Sequence, residues 1–166
     1  MESTKSAFHD IELIRLGWAE PNNGRLLWEV DLKINGQVVT ERYFGTWHYT
    51  DIGEKYAADS PDGRYFFVPR EDVSFVIDTL HDFAPIGISC KGPSASTFRG
   101  NFYFDKWLIL VHFHEIILFD LLTQQQHSLD FPNLTIWWAT PLNAHQLEVS
   151  YTEKAASDRA SLIITI

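Results

Sequence analysis

Residues 25–44 read RLLWEVDLKI, then NG, then QVVTERYF, and this stretch decides the fold class. Both arms are rich in Leu, Val, Trp and Tyr, residues that suit a pleated, partly covered surface. Between them stands Asn35-Gly36, the dipeptide that best tolerates the positive φ a type I′ turn demands at both central residues. The spacing predicts an antiparallel hairpin of Arg25 to Ile34 with Gln37 to Phe44. In the first arm Leu27, Glu29, Asp31 and Lys33 interleave with Leu26, Trp28, Val30, Leu32 and Ile34, so one face is mostly apolar and the other mostly charged.

The middle of the chain has a different pattern. Trp107 to Val111 and Ile116 to Phe119 are unbroken apolar runs of strand length, so both faces must be covered. They predict a central hairpin whose tip, His112 to Glu115, faces solvent. Further strands are expected at Arg64 to Pro69, Val73 to Asp78, Leu134 to Ala139, Gln146 to Tyr151 and Ser161 to Ile166, each bounded by turn formers. Two stretches also fit helical spacing: Val73, Val76, Ile77 and Leu80 after Pro69, with Glu71 and Asp72 in the first turn, and Phe8, Ile11, Ile14 and Trp18 within 7–18. The fold class is therefore all-β, mainly antiparallel, a sandwich or open barrel over residues 1–166 as one domain, with room for one or two short helices.

An offset of 42 residues separates Asp78 from Asp120, and the same offset lays Tyr65-Phe66-Phe67-Val68 on Trp107-Leu108-Ile109-Leu110 without a gap. Ser60 to Val68 followed by Phe75 to Asp78, and Trp107 to Asp120 followed by Leu121-Leu122-Thr123, resemble the strand, turn, strand phrase of WD-type β-propeller blades. The resemblance covers about 60 residues, without the Gly-His and Trp-Asp marks of that family. It implies a small propeller-like meander as the alternative architecture.

Composition narrows function. The 166 residues are 45% apolar, enough for a core without metal or disulfide, and the single Cys90 excludes an intramolecular bridge and points to a reducing, cytoplasmic setting. The N-terminus lacks the pattern of a secretory signal, and no run of 18 apolar residues exists to span a membrane as a helix. A formal net charge of -9 argues against nucleic acid and permits a basic protein partner.

That charge is uneven. Between Lys106 and Lys154 there is no Lys or Arg, while Glu115, Asp120, Asp130 and Glu148 lie among Trp107, Phe113, Phe119, Phe131, Trp137 and Trp138. Cations are excluded from cores because desolvating them is costly, and acidic, aromatic surfaces also recognise cationic partners. Adjacent strand residues face opposite sides, so one of Trp137 and Trp138 is either covered by a second layer or serves as an exposed anchor.

Other motifs carry less. His112 and His114 at alternate strand positions resemble the His-x-His of cupins, yet Lys106 stands where that family has glycine, and Leu118 or Phe119 where it has the acid ligand; no metal or cofactor is expected. Gly45-Thr46-Trp47 matches the Gly-x-Trp of lipocalins but is better read as a core tryptophan after a turn. Cys90 reads as a small buried hydrophobe, Gly92 to Ser96 as an exposed loop, and Asp59 with Asp62, or Glu71 with Asp72, as turn acids. The expected function is a non-catalytic domain that binds a basic protein through Glu115, Asp120, Asp130, Trp137, Trp138 and Glu148, of the kind found in immunity-type inhibitors of toxins. The alternative is a small-molecule binder or enzyme with a β cavity and His112, His114, His48 or His81 near its mouth.

Overall fold

The computed structural model describes residues 3–19, 27–45, 58–68, 73–90, 98–154 and 156–166. Among these, fourteen strands and no helix occur, every strand pair is antiparallel, and each sheet ends in two edge strands, so none closes into a barrel. The described residues up to Ser89 form one compact unit and those from Cys90 another. Arg25, Leu26, Thr46, Trp47, His48, Pro69, Glu71, Asp72 and the loop from Gly92 to Ser96 lie outside the described residues.

The first unit holds two meanders. In one, β1 (Ser3–Lys5), β2 (Ile11–Ala19), β3 (Leu27–Ile34) and β4 (Gln37–Gly45) lie side by side in chain order. The hairpin of β3 and β4 turns where the sequence places it, with φ of 51° at Asn35 and 74° at Gly36. Leu32 is buried between the half-covered Asp31 and Lys33, as a sheet covered on one side requires. In the other meander, β5 (Tyr65–Val68), β6 (Val73–Asp78) and β7 (Ala84–Ser89) follow in order. Asp59 ties the unit together by accepting from Ser6 Oγ at 2.6 Å and Ala7 N at 2.8 Å.

Both helical alternatives give way to strand. Val73–Asp78 is pinned between β5 and β7, and Ser74 to Asp78 are buried without a break, which a helix with one apolar face cannot satisfy. In 7–18 the strand begins at Ile11, where Ile11 and Leu13 alternate into the core.

The second unit stacks two sheets. β8 (Phe98–Phe104), β9 (Trp107–His112), β10 (Glu115–Asp120) and β11 (Gln126–Asp130) form one meander, and β12 (Leu134–Asn143), β13 (Gln146–Glu153) and β14 (Ala160–Thr165) the other. Trp107, Ile109, Val111, Ile116 and Leu118 meet Ile136, Ala139, Leu147 and Val149 in a continuous core. Each such aliphatic side chain contributes roughly 2 kcal/mol when taken from water. Every residue of β9 and β10 is buried, so both faces of this hairpin are covered, as its unbroken apolar runs require.

The 42-residue offset is reproduced in space. Tyr65 stands opposite Asp78 in the β5 and β6 pair, and Trp107 opposite Asp120 in the β9 and β10 pair. The preceding residues are both basic: Arg64 binds Asp78 and Lys106 binds Asp120, each at 3.0 Å. Even the main chain repeats, with Thr79 N bonded to Arg64 O and Leu121 N to Lys106 O.

Candidate functional site

Two β-bulges build the most unusual cluster of the second unit. Along β8 the register jumps from Phe98 opposite His112 to Gly100 opposite Val111, so Arg99 is the extra residue. Gly100 makes this possible with a φ of 150°, which a side chain would strain. Along β12 the register jumps from Ile136 opposite Tyr151 to Trp138 opposite Ser150, so Trp137 is extra in the same way. A bulge bends its strand and re-aims one side chain. Here the two re-aimed side chains meet.

The Arg99 guanidinium carbon lies 3.8 Å from the centre of the Phe113 ring and 4.6 Å from that of Trp137. Arg159, just before β14, places its own guanidinium 4.8 Å from the Trp137 ring centre. Trp137 is fixed from a further side by its Nε1, which donates to Thr152 Oγ1 at 3.3 Å. Phe113 is held at the turn between β9 and β10 because its carbonyl accepts from Ile136 N at 2.7 Å, and His114 beside it donates from Nδ1 to Leu134 O.

The electrostatics of this stack are out of balance. Burial lowers the pKa of Arg99, and the Arg159 charge lowers it further. Its Nε is buried without a hydrogen-bond partner, and among the described residues no carboxylate pairs with either arginine. Cation to ring attraction offsets part of the desolvation, on the order of 0.5 to 2 kcal/mol per contact. It leaves the unmade N–H bond in place.

The expected recognition residues are dispersed through the same unit. Asp120 is buried and engaged: burial pushes its carboxyl up, but hydrogen bonds from Thr123 N, Lys106 and Leu122 N outweigh this and hold it below the usual range. Trp138 joins the core, its ring 5.6 Å from that of Phe102. Asp130 and Glu148 are exposed. The tip of the central hairpin differs from expectation, since only Phe113 and His114 turn. His112 and Glu115 are strand ends that are 5% exposed, because β8 and β11 flank them with Phe98 and Asp130 opposite. Ser128 Oγ donates to Glu115 and also lies 3.3 Å from Asp130. Burial lowers the His112 imidazole to about 4, and both of its ring nitrogens lack a partner.

Of the turn acids, the described Asp62 and Asp59 serve structure. Asp62 accepts from Ser60 Oγ and Arg64 N, as Asp59 does from Ser6 and Ala7. Cys90 is partly buried and unbridged. Among the described residues no group of three His, Cys, Asp or Glu is spaced to hold a metal, and no helix is long and apolar enough to cross a membrane.

A separate feature belongs to the first unit, an apolar cleft of about 560 Å³ lined by Leu32, Ile34, Val39, Phe75, Ile77 and Phe83, with Asp82 as its charged residue. Val39 reaches it from the irregular register of β4 against Leu32 and Lys33.

Arg99 and Arg159 were absent from the sequence-derived site, whereas Trp137 was in it. One signal was available: a glycine inside a strand pattern, as in Phe98-Arg99-Gly100, marks a bulge and a re-aimed neighbour. No known family model matches the chain, and no curated protein is detectably similar to it in sequence.

Proposed function

We propose that this chain is a non-catalytic protein-binding domain whose recognition surface is the second unit, centred on Trp137. The observation that carries this reading is the Trp137 stack itself. A half-buried tryptophan is held in one orientation by a bulge, a hydrogen bond and two guanidiniums, and Trp and Arg are the residue types that dominate interface energetics. Such prior ordering lowers the entropy lost on association. The partner is a basic protein, drawn by the net charge of -9 and met by the exposed Asp130 and Glu148, with a carboxylate of its own set against Arg99 and Arg159 at Trp137. A cytoplasmic, immunity-type inhibitor of a toxin fits this description, with neither nucleic acid nor membrane as partner. The succession of sequential meanders, with one hairpin and its ion pair repeated at a fixed offset, supports the blade-like reading of the architecture.

The test is affinity capture from the native source, followed by binding measurements on the purified partner. Trp137→Ala is expected to weaken binding about 30-fold or more, the scale of a hot spot of about 2 kcal/mol. Asp130→Lys and Glu148→Lys are expected to slow association and flatten its salt dependence. A partner indifferent to Trp137→Ala overturns the reading.

The apolar cleft of the first unit favours a second reading, a small-molecule binder, since its volume falls within the ~300 to 1,000 Å³ of ordinary ligand sites. Val39→Trp would fill the cleft. Loss of a bound apolar ligand in that variant, with Trp137→Ala without effect, would favour it.

A further inference from the structure

We propose that Arg99 and Arg159, together with Phe113 and Trp137, form a binding site for an oxyanion, the charged group shared by carboxylates and phosphate. This goes beyond protein recognition and does not depend on it.

Three independent observations meet at this place. The first is an unsatisfied donor: Arg99 Nε is buried and makes no hydrogen bond. A guanidinium carries five N–H donors in a rigid fork that matches the two oxygens of a carboxylate or the edge of a phosphate, and it has no acceptor of its own. The second is charge. The chain has 22 acidic and 13 basic residues, and both Arg64 and Lys106 reach a carboxylate at 3.0 Å. Arg99 and Arg159 instead share one indole ring, with no carboxylate on either among the described residues. In an acidic protein, two cations on one ring without a counter-charge among the described residues are relieved by an anion from outside.

The third observation is the backbone. Bulges in two different strands deliver Arg99 and Trp137 to one point, and bulges recur where a fold re-aims a side chain toward a ligand. Phe113 and Trp137 hold the Arg99 guanidinium, with its carbon 3.8 and 4.6 Å from their ring centres, so its position is set before anything binds. Arg159 is exposed and brings a second guanidinium to the same indole ring. A purely structural arginine needs none of this; its stem would pack as well with the head paired or in water.

The experiment follows arginine side-chain Nε–H signals by ¹H–¹⁵N NMR during titration of the full chain with sodium phosphate, sodium acetate and, at matched ionic strength, sodium chloride. The Arg99 signal is expected to shift downfield and saturate with phosphate, acetate or both, and to stay put with chloride. A response to phosphate alone identifies a tetrahedral oxyanion, and one to acetate alone a carboxylate. Arg159→Gln removes an exposed arm without touching the core, and it is expected to weaken binding about tenfold, in line with the loss of one charge-assisted bond. Arg99→Lys keeps the charge, loses the fork and is expected to weaken it further. No saturable shift with either anion, or an affinity unchanged in Arg159→Gln, overturns the proposal. Because Arg159 is exposed, this arm of the test survives even if the Arg99 variant fails to fold.

Discussion

Arg64 with Asp78 and Lys106 with Asp120 occupy the same place in two hairpins, one in each unit, yet the two ion pairs are built differently. Arg64 forks onto Asp78, with Nη2 to Oδ2 at 3.0 Å and Nε to Oδ1 at 3.4 Å, and His81 Nδ1 adds a bond at 2.8 Å. Leu80 N adds a main-chain bond to Asp78 at 3.1 Å. Asp120 has two main-chain donors, Leu122 N and Thr123 N, and a single ammonium. The first carboxylate is held mainly by side chains and the second mainly by the turn that follows it. The cations differ to match, the Arg64 side chain being 26% exposed and that of Lys106 42%. What repeats is a buried aspartate closing a strand; what varies is how it is neutralised. Burial pushes both carboxyls up, and in each the hydrogen bonds prevail and hold it below its ordinary value.

The largest effect expected is from Asp78→Ala, which leaves the Arg64 guanidinium half-covered and unpaired. Removing one member of a buried pair costs about 3 to 5 kcal/mol. Native-state hydrogen exchange, which reads the two units separately, should show this loss in β5, β6 and β7. A loss below 1 kcal/mol would mean that the fork adds nothing to the repeat.

Acid separates the hairpins next. His112, at the end of β9, titrates near 4 in the folded chain because of its burial and near 6.5 unfolded. Between those values the unfolded chain binds a proton that the folded chain does not. Stability is therefore full above pH 6.5 and falls by about 3 kcal/mol as the pH drops to 4. The contributions of Asp78 and Asp120 are lost only lower, below the ordinary carboxylate range. His112→Leu should flatten the limb between pH 6.5 and 4 in urea titrations, and an unchanged limb would show that another group causes it.

Asp120→Ala should cost less than Asp78→Ala, about 2 kcal/mol for two unmade main-chain bonds, because Lys106 turns freely into water. A cost equal to that of Asp78→Ala would erase the distinction between the hairpins. The smallest effect belongs to Lys106→Ala, expected at about 1 kcal/mol or less for a cation this exposed. Arg64→Ala should exceed it, and the reverse order in denaturation midpoints would break the comparison.

Strong local signals were legible in the sequence. Asn35-Gly36 placed the hairpin of β3 and β4, and the unbroken runs of β9 and β10 announced burial on both faces. β11 was not legible: Gln126 to Asp130 is polar in sequence and becomes a strand by pairing with the free edge of β10. β7 and β8 were hidden likewise, the one containing Pro85 and Gly87, the other Gly100, all poor strand residues. Of the candidate site, Trp137 was visible as an aromatic where alternation allowed only one partner in a core. The buried positions of Glu115 and His112 were not, since the covering strands β8 and β11 were themselves unread.

By itself the sequence determined the all-β class, the hairpin register around Asn35-Gly36 and the 42-residue echo, because these follow from short-range dihedral preference and from the two-residue period of a strand. Only the tertiary structure decided that Lys106 would answer Asp120 and that Arg99 and Arg159 would meet at Trp137. The cation-free span looked unneutralised in sequence because charge acts through space, and three cations from outside the span reach into it once the strands pair. A bulge shifts register by one residue and so changes which face a side chain takes, a displacement that depends on the partner strand. That is why Gly100 could hint in sequence at a bulge beside Arg99, while the ring that Arg99 meets was decided only in the folded chain.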